Sequence, residues 1–199
     1  MKKTILALLL TGGAAFGSPL VYNVSVLTNL SGLGSLDFQY NPGPTATQTS
    51  TATVSGFTPT TGLNSPDPFP ASVTGSLLTS LAIVNAVGTN EYFIHYTFPA
   101  TILFTLTLSG PGVDTPSGTG SGSTFAFSLY DNAGTTPLKS TNGGGYLFTI
   151  DLSNLGGVTT ATFATGGAQV VIRALPEPGT IALFPVALGA IALLRRKRA

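Results

Sequence analysis

Few side chains in this sequence could do chemistry. There is one histidine, His95, and six acids stand between the charged ends of the chain: Asp37, Asp67, Glu91, Asp114, Asp131 and Asp151. A general base or an imidazole metal ligand needs partners, and a single histidine excludes an imidazole pair. His95 falls on the polar side of the alternating run Tyr92 to Phe98, which reads as a histidine on a strand surface. Two carboxylates facing each other across a cleft could cut a glycosidic bond. The spacing of the six acids selects no such pair, and most are expected in or beside turns, where Asp supports the local backbone. Asp131, Asn132 and Asp114 carry the oxygen ligands that loops gather around a structural Ca²⁺, although not at EF-hand spacing. The stretch 118–122, Gly-Thr-Gly-Ser-Gly, lacks the Lys and the helix that a phosphate loop requires, and reads as a flexible turn into a strand at Thr124. No Gly-x-Ser-x-Gly elbow, Walker-type loop or His-Glu-x-x-His motif is present. Without cysteine, thiol catalysis, thiolate metal sites and disulfides are all excluded. The expectation is a chain that is not an enzyme and has no cofactor, a structural calcium being the one exception the residues permit.

Hydroxyl-bearing faces and flat rings also suit sugar recognition. With 12 Phe, 6 Tyr and no Trp, the aromatic set is what an ordinary β core would use. Tyr22, Tyr40, Tyr92, Tyr96, Tyr130 and Tyr146 remain as candidates for contact with a glycan.

The elements that must position these groups repeat with a period of two. Leu36, Phe38 and Tyr40 alternate with Asp37 and Gln39; Tyr92, Ile94, Tyr96 and Phe98 with Phe93, His95 and Thr97; and Ile102, Phe104, Leu106 and Leu108 with residues that are mostly Thr. The runs at Phe125 to Leu129, Tyr146 to Leu152 and Val170 to Arg173 behave alike. Successive side chains of a strand point to opposite faces, so each run offers one apolar and one polar face. Weaker strands are expected over Val21–Leu30, Ala52–Phe57, Ala71–Leu78 and Val158–Phe163. Proline and glycine clusters at 41–44, 65–70, 110–112, 131–134 and 142–145 separate the runs by fixing or freeing φ as turns require. About ten short strands without an amphipathic helix predict an all-β body: an antiparallel β-sandwich of jelly-roll type, with a barrel as the alternative.

Charge divides the chain into three parts. Lys2 and Lys3 precede an apolar stretch from Thr4 to Gly13, and Ala15 and Gly17 place small residues before Ser18. This is the layout of a secretory signal peptide over residues 1–17, and it predicts export. Arg195, Arg196, Lys197 and Arg198 lie at the other end. The body, residues 18–175, keeps only Lys139 and Arg173 against the six acids, a net charge of about −4 although the whole chain is formally +1. So few cations cannot neutralise many phosphates, which excludes nucleic acid as a partner. The body is of ordinary single-domain size, and its recurrent aromatic and β-branched residues argue for folding rather than a disordered stalk.

Residues 176–199 hold three signals in order: Pro176-Glu177-Pro178-Gly179, an apolar run from Thr180 to Leu194, and the four cations Arg195 to Arg198. The apolar run is 15 residues, about 22 Å as a helix against the ~20 residues that span a typical bilayer. Snorkelling arginine stems extend its fit, and the basic cluster would stop it on the cytoplasmic side. The order of these three elements resembles the PEP-CTERM sorting signal of exopolysaccharide-producing bacteria. The resemblance implies that Pro176, Glu177 and Pro178, followed by Gly179, form the motif recognised by an exosortase-type processing enzyme. It further implies that 180–194 is a transmembrane helix in the inner membrane and that Arg195, Arg196, Lys197 and Arg198 are the membrane stop. The charge-poor, Thr/Ser-rich body resembles passenger domains of that family, notably over 36–43, 52–57 and 123–131. Two functions follow as expectations. One is a non-catalytic cell-surface or extracellular-matrix protein associated with exopolysaccharide. The other is a carbohydrate-binding or carbohydrate-active β-sandwich protein.

Overall fold

The computed structural model describes residues 17–45 and 47–176. The expected signal segment before Gly17, the motif residues Glu177, Pro178 and Gly179, the membrane run and the basic stop all lie outside the described residues. Among those described, no helix is long and apolar enough to cross a membrane.

The described chain is all-β, with twelve strands: β1 (Leu20–Leu27), β2 (Gly32–Pro42), β3 (Thr51–Thr58), β4 (Leu63–Pro66), β5 (Val73–Gly75), β6 (Ser80–Val84), β7 (Glu91–Phe98), β8 (Thr101–Ser109), β9 (Ser123–Tyr130), β10 (Tyr146–Leu152), β11 (Val158–Thr162) and β12 (Gln169–Ala174). One helical turn, α1 (Pro111–Asp114), starts at a proline after β8. The expected set of about ten strands omitted β4 and β6. The strand expected over 71–78 contracts to β5, and the one expected over 21–30 ends at Leu27. Proline explains the shortness of β4, because Pro66, Pro68 and Pro70 cannot donate to a ladder. β6 is a regular strand in which Leu81 and Ile83 face the core, but Leu77, Leu78 and Ala86 around it blur its period in the sequence.

The strands form two six-stranded antiparallel sheets. The first runs β12-β1-β8-β3-β6-β5 and the second β11-β10-β9-β2-β7-β4. Their inner faces meet in one core, because the alternating residues fall where the period of two places them. Val24 and Val26 of β1 and Leu106 and Leu108 of β8 face Leu36, Phe38 and Tyr40 of β2, all buried. Phe104 of the first sheet meets Phe38 and Phe127 of the second at ring-centroid distances of 5.6 and 5.7 Å. Such offset aromatic contacts add about 0.5–1.5 kcal/mol each beyond their area. In β3 the alternation breaks on purpose. Gly56 takes φ +60° at a bulge between Ser55 and Thr58, and the extra residue returns Phe57 to the core against Phe38 and Tyr96. The edge strands β4 and β5 span four and three residues, short enough to discourage pairing with another chain.

A buried polar knot closes one end of the sandwich. Tyr40 Oη and Ser50 Oγ are 2.7 Å apart, the Ser50 N–H donates to Asn85 Oδ1 at 2.7 Å, and Asn85 Nδ2 donates to the Gln48 carbonyl and to Ser123 Oγ, each at 2.8 Å. Each interior polar group in the knot thereby has a partner.

Candidate functional site

The most chemically loaded surface is the outer face of the second sheet. Register places three cross-strand rows there: Glu91–Gln39–Ala126, Phe93–Asp37–Ser128 and His95–Ser35–Tyr130 on β7, β2 and β9. Tyr146 of β10 extends the Asp37 row beyond Ser128. The rings of Phe93 and Tyr130 come from strands on either side of β2 and approach to 5.7 Å. To meet, they must pass over the outward side chains of β2. This roof explains why Ser35, Asp37 and Ser128 are buried (0, 1 and 0% exposed) although they point away from the core.

Under that roof the Asp37 carboxyl accepts one hydrogen bond, from Gln39 Nε2 to Oδ2 at 2.7 Å. Gln39 Oε1 accepts in turn from Asn41 Nδ2 at 3.0 Å. Asp37 Oδ1 and Ser128 Oγ are buried without a hydrogen-bond partner. Glu91 stands opposite Gln39, which makes it a diagonal cross-strand neighbour of Asp37. Burial first, and then the Glu91 charge, push the Asp37 carboxyl up to about 8 against the opposing Gln39 bond. At neutral pH the Asp37 carboxyl therefore keeps its proton. Burial, followed by the charges of Asp37 and Glu91, also raises the Tyr130 phenol.

Beside the roof, a groove of about 440 Å³ is lined by Asp67, Thr89, Glu91, Phe93 and His95, with prolines at one rim and Gly134 at the other. His95 Nδ1 is 3.0 Å from Ser35 Oγ, and His95 Nε2 is 3.7 Å from Asp67 Oδ1. This is a serine–histidine–aspartate array by composition only. Ser35 is fully buried and cannot reach an electrophile, so the serine orients the imidazole instead of attacking through it.

Most acids were expected beside turns. Asp37 and Asp151 lie on strands, where their alternating runs placed them. Asp151 accepts from Thr124 and Thr149 on the same outer face, and Glu91 opens β7 and does not lie in a turn. Asp131, in the turn after β9, does follow the turn expectation. Its Oδ1 accepts from the Thr135 and Thr136 N–H groups, which hold its carboxyl below the usual range. Asp114 accepts from the Gly110 N–H at the end of α1. The carboxyls proposed as calcium ligands thus each close a local turn. Among the described residues, no group of three or more His, Cys, Asp or Glu side chains comes together to hold a metal ion. The glycine-rich stretch is a turn pinned by Asn154, whose Nδ2 donates to the carbonyls of Gly118 and Gly120.

The tyrosine candidates divide sharply. Tyr22, Tyr40, Tyr92 and Tyr96 belong to the core, whereas Tyr130 and Tyr146 stand on the outer face. The alternation already separates them, since Tyr92 and Tyr96 share the period of Ile94. The Asp37–Glu91 proximity has no such local signal, because it depends on which strand pairs with β2.

A second groove, about 510 Å³, crosses the outer face of the first sheet between Asn23, Leu103, Val171 and Arg173. It is lined by neutral side chains and one guanidinium and brings no reactive pair together. No protein-family model matches the chain, and neither the curated proteins nor the solved structures compared with it gave a match. The site's chemistry must therefore be argued from its own residues.

Proposed function

We propose that this is an exported, non-catalytic cell-surface or extracellular-matrix protein, delivered by a C-terminal PEP-CTERM-type signal and associated with exopolysaccharide. The observation that carries this reading is where the body stops. The Leu175 N–H donates to the Val21 carbonyl at 2.8 Å, and Pro176 follows at once. Among the described residues the last sheet hydrogen bond is therefore made one residue before the Pro-Glu-Pro handle, and a processing enzyme could take the handle without unfolding the domain. Because β12 pairs antiparallel with β1, with Tyr22 opposite Ala174, Ser18 and Pro176 leave from the same corner. Once a signal peptide has been cut before Ser18, a membrane helix over 180–194 would hold the body by that corner while an exosortase-type enzyme acts.

The jelly-roll reading belongs to this proposal and draws support from the nested pairing. β1·β8 and β3·β6 lie in one sheet, and β2·β7 with β4 in the other. Placing β5 beside β6, and adding β9–β11 and β12 outside the nest, is this chain's departure from that pattern.

Mass spectrometry of the mature protein from its host tests the route. A chain beginning at Ser18 and ending between Pro176 and Gly179 is expected. An intact Arg198-Ala199 terminus would replace the sorting label with a permanent single-span anchor.

The groove beside Glu91 favours a second reading, a carbohydrate-binding or carbohydrate-active module, because carboxylates and the Phe93 ring line it together. Retention on the host's own polysaccharide that is lost in Phe93→Ala would favour a specific lectin role. Failure to bind any glycan would remove that role.

A further inference from the structure

Two of the four sheet edges are guarded and two are not. β4 and β5 are short, and β4 runs into the prolines at 66, 68 and 70. β11 and β12 span five and six residues without proline or glycine, and Arg173 is their one charged residue. Both open edges lie on the same side of the sandwich. Phe104 of β8 packs on Phe148 of β10, and Phe57 of β3 packs on Tyr96 of β7, so the two strand orders run the same way.

Half of the β12 backbone is unpaired, and the ladder says which half. The Leu175 N–H donates to the Val21 carbonyl, and opposed residues of an antiparallel pair alternate between bonded and non-bonded. Arg173, Val171 and Gln169 therefore turn their backbone groups to Asn23, Ser25 and Leu27 of β1. Val170, Ile172 and Ala174 turn theirs outward, where no strand meets them among the described residues. The side chains alternate as well. Val170 and Ile172 pack against the core, whereas Val171 is 44% exposed on the outer face. Exposed Leu103 lies in the same cross-strand row as Val171, and exposed Leu27 stands opposite Gln169. An unpaired ladder flanked by exposed apolar side chains is a template for another strand.

We infer that β12 pairs with β12 of a second copy of this chain, antiparallel about a two-fold axis at Val171, so that one sheet runs through both copies. A two-fold contact must be complementary to itself, and this register is. Val170 falls opposite the partner's Ile172, and Ile172 opposite the partner's Val170. The bonded pairs thus use only groups that β1 leaves free. Val171 meets its own copy at the close, non-bonded spacing, which covers its exposed side chain. Gln169 falls opposite the partner's Arg173, so no like charges are opposed. Arg173 makes no ion pair of its own among the described residues. An axis at Ile172 would instead bring the two Arg173 side chains to diagonal positions. β11, on the same side, carries no charge to oppose the contact. The inference concerns the body alone and stands whichever route delivers the protein.

The test uses the full chain in mild detergent, with sedimentation across micromolar concentrations, where a reversible dimer is expected. Val171→Cys gives this cysteine-free chain a single thiol on the axis. Its two copies would have Cα atoms about 4.5 Å apart, within the span of a disulfide, so mild oxidation should link the dimer. Leu103→Cys, equally exposed on the same face, should not link. Val171→Lys opposes two ammonium groups and should weaken the dimer about tenfold at low salt. Gln169→Glu faces the partner's Arg173 and should tighten it about twofold. Both positions are exposed, so the variants should fold, as circular dichroism would verify. A monomer at every concentration would overturn the inference. So would a dimer that Val171→Lys and Gln169→Glu leave unchanged, or one in which Leu103→Cys links as readily as Val171→Cys.

Discussion

Gln39 Nε2 donates to Asp37 Oδ2 at 2.7 Å, and among the described residues this is the only hydrogen bond that the buried Asp37 carboxyl receives. One neutral donor is too little to keep a buried carboxylate ionised beside Glu91, so the Asp37 carboxyl rises to about 8 in the folded chain. In the unfolded chain it titrates near the ordinary value of about 3.9.

Stability should follow with a definite sign. The folded state holds a proton that the unfolded state has lost, so Asp37's contribution is fully present below about pH 4 and declines as pH rises toward 8. The slope is at most about 1.4 kcal/mol per pH unit. In metal-free buffer, urea unfolding should show the wild type losing stability between pH 5 and pH 8.5. Asp37→Asn, neutral throughout, should flatten that dependence. Equal wild-type stability at the two pH values would contradict the assignment.

Asn85 should be among the most sensitive polar positions. Truncation to Ala removes three hydrogen bonds and leaves the buried Ser50 N–H without an acceptor. A loss of about 2–4 kcal/mol is expected by denaturant unfolding. Asn154→Ala removes two bonds to the turn carbonyls of Gly118 and Gly120. That turn lies at the surface, where water replaces the donor, so the loss there should stay below about 1 kcal/mol.

What could be read in advance followed from local physics. The alternation of Phe104 with Thr105, or Tyr92 with Phe93, depends only on the pleat, and the core took those faces as expected. β4 was hidden by its prolines and β6 by the leucines around it. The Asp37–Glu91 pair was illegible for another reason. The two residues are 54 positions apart, and only the β2–β7 register makes them diagonal neighbours. Likewise, the burial of an outward-facing Asp37 depends on Phe93 and Tyr130 reaching over β2 from opposite sides, which no single strand's pattern contains.

Gly34 marks a place where the sheet has no room. A Cβ there would lie 2.1 Å from Phe98 Cε2 and 2.6 Å from the Tyr130 carbonyl oxygen. Gly34→Ala should therefore destabilise the protein by about 1–3 kcal/mol through overpacking. Phe98→Leu in the same chain should recover part of the loss, because the ring can be shortened while the Tyr130 backbone cannot move. A double-mutant cycle over Gly34 and Phe98 measures that coupling. Strict additivity would mean that the ring is not what Gly34 accommodates.

Leu103 and Phe104 are adjacent on β8, and the pleat sends them to opposite fates. Phe104 is 3% exposed and joins the two sheets through Phe38 and Phe127, whereas Leu103 is 44% exposed on the outer face. Phe104→Ala removes the main aromatic bridge between the layers and opens a cavity that the close-packed rings can only partly fill. A loss of about 3–5 kcal/mol is expected. Leu103→Ala should cost less than about 1 kcal/mol, because nearly half of the residue stays in water in the folded state and its removal opens no cavity in the core. Chemical unfolding of the two variants compares neighbours with nearly the same sequence context. A similar cost for both would mean that the inner and outer faces of β8 are wrongly assigned, and with them the packing of the sandwich.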